Sequence, residues 1–126
     1  MRNAVLSFII FVIMIIIMSF SISYLNKVSV NLEKLNDNIE EYINDDKWDK
    51  AYETSLEFRK RWESYSKNIK LFVNHEEIDN IEIELSKLPQ YAKEKNKDES
   101  LASTQVLKFL IDHISSLEKI NIQNIF

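Results

Sequence analysis

The sequence predicts an all-α protein, in which an N-terminal transmembrane helix is followed by a small antiparallel four-helix bundle. Three observations support this fold class. The chain of 126 residues contains no glycine and one proline, whereas strand-rich folds need both residues in their turns. Its N-terminal segment is apolar over the length of a membrane span. The remainder repeats apolar residues at helical spacing.

The transmembrane anchor is predicted for residues 4–25, after a cytoplasmic tail of residues 1–3. The span contains no charged side chain, and about 20 helical residues cross a hydrocarbon core of about 30 Å. A cleaved signal peptide is the alternative, because Ser21 and Ser23 loosely match a cleavage site. The apolar run nevertheless continues to Leu25, which favours a retained anchor.

Charges on the two flanks of the span bear on its orientation. Arg2 and the N-terminus favour the inside, although Lys27 and Lys34 on the other flank weaken this bias. A very short tail before a long span is typical of a signal-anchor. We therefore expect a single-pass protein of the cell membrane, with the soluble domain, residues 26–126, outside.

The first two soluble helices are predicted from their apolar stripes. The first extends from Val28 to Ile43, and no helix breaker separates it from the anchor. Any residue of the stretch 44–46 could cap the next helix. That second helix carries an aromatic-rich stripe from Trp48 through residues 72–73, and it either bends or stops at the following asparagine.

The only proline lies near the predicted end of the third helix. Pro89 should end or kink the third helix, so that residues 90–97 form a short continuation or a loop. The polar stretch 95–100 is predicted to be the last connection, with Asp98 or Ser100 as the cap. The fourth helix should end near residues 120–121, and the tail, 122–126, should dock back onto the bundle. Short connections make neighbouring helices antiparallel.

Composition excludes several classes of function. The chain has no cysteine, so it has no disulfide, thiolate metal site or cysteine nucleophile. A net charge of −4 argues against nucleic acid as a partner. The absence of glycine excludes a glycine-rich phosphate loop and a nucleophile elbow. We predict a protein that is not an enzyme and that needs no cofactor.

The strongest candidate for chemistry is the stretch His75-Glu76-Glu77-Ile78-Asp79. It resembles a zinc-peptidase pattern in which aspartate replaces the second histidine. A spacing of four places His75 and Asp79 on one helical face, and His113 could supply a third ligand. A structural polar cluster at a helix start, against which His113 packs, is the favoured interpretation. We therefore predict no metal site and keep these three residues as candidates for a test.

Four short motifs follow the apolar segment in order along the chain. They are Asp46-x-Trp48-x-x-Ala51, then Trp62, then the stretch 75–79, then the terminal Asn124-Ile125-Phe126. With the apolar N-terminal helix, they resemble the bacterial family known as domain of unknown function 4363, found in clostridia and their relatives. The resemblance covers nearly the whole chain and implies location and fold, without an activity. It implies that His75, Asp79, Trp48 and Trp62 should be tested first, the tryptophans as candidate interaction residues.

These observations predict a non-enzymatic interaction module, held at the outer face of a Gram-positive cytoplasmic membrane by the bilayer contact of residues 4–25. Such a module would present a helical face to another membrane protein or to a second copy of itself. The alternative is an extracytoplasmic, sensor-like bundle that holds a small ligand or a metal between its helices. No sequence pattern specifies the partner, the ligand or the oligomeric state.

Overall fold

The computed structural model describes residues 1–71 and 73–125, with side chains through residue 116. This part of the chain forms four α-helices: α1 (Arg2–Asn44), α2 (Trp48–Ile69), α3 (His75–Lys93) and α4 (Lys97–Ile125). Each helix packs beside two others, in the cyclic order α1–α2–α3–α4. The predicted all-α fold class, a helical bundle whose first helix is a long apolar candidate span, is confirmed.

Helix α1 has two halves with different surroundings. Its N-terminal half is long and apolar enough to cross a membrane, and its most apolar window has no buried residue. Its C-terminal half buries one stripe against the bundle, made of Leu25, Val28, Leu32, Leu35, Ile39 and Ile43. Because no breaker interrupts α1, the apolar segment and the first helix of the bundle are one continuous helix.

The core lies between the four inward-facing stripes. Helix α2 contributes the two largest buried side chains, Phe58 and Trp62. Helix α3 contributes Ile78, Ile81, Leu85 and Leu88, and α4 contributes Leu107, Ile111 and Ile114. These residues recur three or four positions apart, so each helix presents one apolar stripe to the others.

Two connections, α1–α2 and α3–α4, share one backbone motif. After α1, the Lys47 N–H donates to the Tyr42 carbonyl at 2.8 Å, and the Asp46 N–H donates to the Ile43 carbonyl at 3.1 Å. After α3, Asn96 donates to Tyr91 and Lys95 donates to Ala92 in the same way. This is the Schellman arrangement, which requires a left-handed residue. In a chain without glycine, Asp46 (φ 58°) and Lys95 (φ 56°) occupy that position.

The predicted helix caps at these two connections were wrong. The residue before α2 is Lys47, which makes no side-chain cap, because residues 44–46 instead terminate α1. The N–H of Glu99 donates to the Asn96 side chain at 3.2 Å. Asp98 and Ser100, the predicted caps, lie inside α4, because α4 begins earlier than expected.

The remaining boundaries also differ in detail from the prediction. Helix α2 ends at Ile69, and α3 starts after Asn74, whose side chain accepts from the Glu76 N–H at 3.3 Å. Phe72 lies outside the described residues. Pro89 does not end α3, which continues to Lys93.

The continuation past Pro89 has a physical reason. Leu88, Pro89 and Ala92 are all buried, so packing of this last turn offsets the hydrogen bond that proline cannot donate. Helix α4 likewise extends beyond its predicted end near residues 120–121, to Ile125. The predicted docking of the tail concerns side chains outside the described residues.

Candidate functional site

A pair of carboxyl groups joins α1 to α4. A hydrogen bond with Asp112 raises the pKa of Glu33 to about 7, and burial and the negative charges of Asp112 and Asp37 act in the same direction. Lys108 opposes the shift. A hydrogen bond between two carboxyl groups requires a proton on one of them. The contact between α1 and α4 therefore weakens when Glu33 loses its proton.

A buried polar contact lies on the same helix interface. Asn36 is 1% exposed, and its Nδ2 donates to the Thr104 carbonyl at 2.8 Å. Its Oδ1 has no hydrogen-bond partner among the described residues, and neither do the buried hydroxyls of Ser100 and Ser103. Buried amides that are only partly satisfied reduce stability but can fix the register of two helices.

The α3–α4 side of the bundle carries a polar contact and a ring contact. His113 Nδ1 lies 3.1 Å from Glu77 Oε2. The ring of Phe109, one turn earlier on α4, stacks on the imidazole with centroids 5.9 Å apart and planes 9° apart. Phe109 is 67% exposed, and Val106, three residues before it, is also exposed. Val106, Phe109 and His113 thus form one ridge, called the α4 ridge below.

The structure separates the three candidate metal ligands. His75 and Asp79 are exposed at the start of α3, whereas His113 contacts Glu77. Glu77 is two residues, or about 200°, around the helix from His75. Among the described residues, no three histidine, aspartate or glutamate side chains are grouped to hold a metal ion.

The two tryptophans occupy different positions. Trp62 is 1% exposed in the core, and its buried Nε1 has no hydrogen-bond partner in the described part of the chain. Trp48 opens α2 and is partly buried, packed against the core. In this conformation Trp62 is not available to a partner, whereas Trp48 remains partly accessible.

A polar cleft lies between α1 and α2. It has a volume of about 370 Å³ and is lined by Asn31, Lys34, Leu35, Asn38, Tyr42, Thr54, Glu57 and Arg61. Arg61 and Glu57 form an ion pair at 2.8 Å in its wall, and Asn31 Nδ2 donates to the Tyr65 hydroxyl at 3.3 Å. Amide, hydroxyl and charged groups of both signs suit a small polar ligand better than an apolar one.

Sequence reasoning missed the carboxyl pair, the buried Asn36 and the polar cleft. Glu33 and Asp112 belong to helices at opposite ends of the chain, so no local spacing links them. Asn36 did carry a signal, because it lies between Leu35 and Ile39 of the apolar stripe. The edge position of Glu77 beside Ile78 and Ile81 could likewise have indicated that it faces a neighbouring helix.

Comparison with protein families gives a match over most of the chain. A family model described as Domain of unknown function (DUF4363) matches residues 19–125. The match includes the end of the apolar segment and nearly all of the bundle. No curated protein and no solved structure matches the chain.

Proposed function

The chain belongs to the DUF4363 family, whose function is unknown, and from its geometry we propose a non-enzymatic interaction module anchored at the outer face of a Gram-positive cytoplasmic membrane. The single observation that carries this proposal is the continuity of α1. The same helix is exposed and apolar at its start and supplies a core stripe of the bundle at its end. A bundle attached in this way would be held at the membrane without a flexible linker.

The α4 ridge supports the interaction role. Phe109 is 67% exposed and lies on the same ridge as exposed Val106, so the ridge offers an apolar surface to a partner. Stacking on His113, which in turn contacts Glu77, restrains the ring in its exposed position. Exposed aromatic residues held in this way are common anchors of protein interfaces.

Membrane placement is tested with single-cysteine variants, since the chain has no cysteine of its own. Asn3→Cys and Asp46→Cys are treated with a membrane-impermeant maleimide in intact cells. We expect labelling at residue 46 and protection at residue 3 until the cells are lysed. Labelling at residue 3 alone would reverse the orientation. A shortened chain that carbonate washing releases would instead indicate a cleaved signal peptide.

The interaction role is tested by photo-crosslinking from the α4 ridge. A photoreactive residue replaces Phe109 in one variant and exposed Leu56 of α2 in the control. We expect a discrete adduct from position 109, whose mass shows whether the partner is a second copy or another membrane protein. Adducts of equal yield from both positions would refute a specific interface on α4.

The polar cleft between α1 and α2 favours a second candidate function, an extracytoplasmic bundle that binds a small ligand or a metal. Calorimetry of the full chain in micelles tests the metal form by titration with zinc, manganese and calcium, with His75→Ala as the matched variant. Saturable binding that this variant loses would favour the histidine stretch. Binding that only a Glu57→Ala variant loses would favour the cleft, because the Glu57 carboxylate lines it and could ligate a cation.

A further inference from the structure

The turn between α2 and α3 lies beside the end of the apolar segment of α1. Asn68, near the end of α2, donates through Nδ2 to the Tyr24 hydroxyl at 3.0 Å. Tyr24 is the penultimate residue of the predicted span, residues 4–25. The hydrogen bond therefore fixes the height of the turn relative to α1.

On the N-terminal side of that hydrogen bond along α1, the exposed apolar side chain of Leu71 lies beside Phe20 of α1. Leu71 and Phe20 line one shallow surface cavity of about 290 Å³, together with Ser21, Tyr24 and Asn68. Leu71 is 86% exposed and Phe20 is 76% exposed. Phe20 lies five residues before the end of the predicted span, which is about 8 Å along the helix axis. Leu71 is thus level with residues of the span, below the base of the bundle.

The charges near the turn have both signs. Lys67 and Lys70 precede it, and Glu76 follows it, all three with exposed side chains. This mixture gives no strong preference for an anionic surface. The observations that point to a lipid contact are the apolar side chain and its height beside α1. A leucine at that level avoids water by entering the interface.

We propose that the α2–α3 turn is a second membrane contact, in which Leu71 inserts into the bilayer interface beside Phe20 and Tyr24. This inference rests on the proposed anchoring of α1. Together, the span and the turn would hold the bundle at two points and prevent it from tilting away from the membrane. The contact should form in zwitterionic as well as anionic bilayers, because it depends on apolar burial.

The test places an environment-sensitive fluorophore on single cysteines of the full chain, reconstituted in phosphatidylcholine vesicles with or without phosphatidylglycerol. Nitroxides on the upper and on the terminal carbons of the lipid acyl chain, used in separate vesicles, quench fluorophores at the interface and at the bilayer centre, respectively. Leu71→Cys reports on the turn. Ile13→Cys, at the middle of the apolar segment, reports on the anchor. Leu56→Cys is the matched control, an exposed leucine of α2 about 20 Å from the end of that helix.

We expect strong quenching at residue 13, clear quenching at residue 71 and little at residue 56, in both lipid compositions. Quenching at residue 13 with equal, low values at 71 and 56 would overturn the membrane contact of the turn and leave the anchor intact. Absence of quenching at residue 13 would overturn the anchor, and with it the second contact. Quenching at residue 71 that required phosphatidylglycerol would overturn the apolar basis of the contact.

Discussion

Replacing Lys95 by glycine should stabilise the bundle, even though the substitution removes a side chain. Lys95 adopts φ 56° after α3, a left-handed conformation that glycine adopts without strain. Its N–H donates to the Ala92 carbonyl, and glycine retains that donor. Its side chain is exposed and makes no side-chain hydrogen bond or ion pair within the described residues.

Two opposing effects set the magnitude. The left-handed conformation costs a residue other than glycine about 1–2 kcal/mol. Glycine loses more backbone entropy on folding, which costs about 0.5–1 kcal/mol. The difference is a gain of about 0.5–1 kcal/mol in the free energy of unfolding. For a bundle of about 100 residues this raises the Tm by about 2–8 °C.

The assay is thermal unfolding of the full chain in detergent micelles, followed by circular dichroism at the helical minimum. Lys93→Gly is the matched control, because Lys93 is also exposed but lies in the last turn of α3 with helical geometry. Glycine there should lower stability by about 1 kcal/mol. If Lys95→Gly lowers the Tm as Lys93→Gly does, the assignment of a strained left-handed residue is refuted.

Three further predictions concern polar groups of the bundle. Between pH 4.5 and about 7, Glu33 keeps its proton in the folded state but is ionised in the unfolded chain. The free energy of unfolding of the wild type should therefore fall as the pH rises through this interval. Glu33→Gln should remove that fall, and because the group is partly exposed we expect only about 1 kcal/mol, measured by urea unfolding on both sides of the interval. Asn36→Ala should lose about 1–3 kcal/mol through its cavity and its lost contact with Thr104, whereas Asn36→Leu should be close to neutral by the same measurement. Asn96→Ala should lower the Tm by an amount equivalent to about 1 kcal/mol, because it removes the side-chain acceptor at the start of α4.

The parts of the fold that the sequence predicted are those set by apolar spacing alone. Residues three and four apart on α1 fix which side of the helix enters the core, whatever the partners are. The boundaries were less predictable because they depend on tertiary packing. Pro89 is a strong local signal for a helix end, but its own burial beside Leu88 outweighs one missing hydrogen bond.

The candidate site was less predictable than the fold, because its contacts join distant segments. The histidine stretch was interpreted through the spacing of His75 and Asp79, which do share a face. The contact with α4 is made by Glu77, on the other side of the helix. The side of α3 that faces α4 depends on the direction of the core stripe and on which helix packs beside α3. The sequence indicates the direction of the stripe, but it does not indicate the neighbouring helix.

The height of the α4 ridge above the bilayer restricts the proposed partner. The carboxyl pair places Asp112 level with Glu33, eight residues after the end of the predicted span, or about 12 Å along α1. Helix α4 runs antiparallel to α1, so Phe109, three residues before Asp112, is about 16 Å above the end of the span, and the ridge extends from about 10 Å at His113 to about 21 Å at Val106. Since α1 contains no flexible linker, an anchored bundle could not extend this ridge far into the surrounding medium. The proposed partner therefore needs a contact surface close to the lipid headgroups, as another membrane protein or a second copy of this chain in the same bilayer would have.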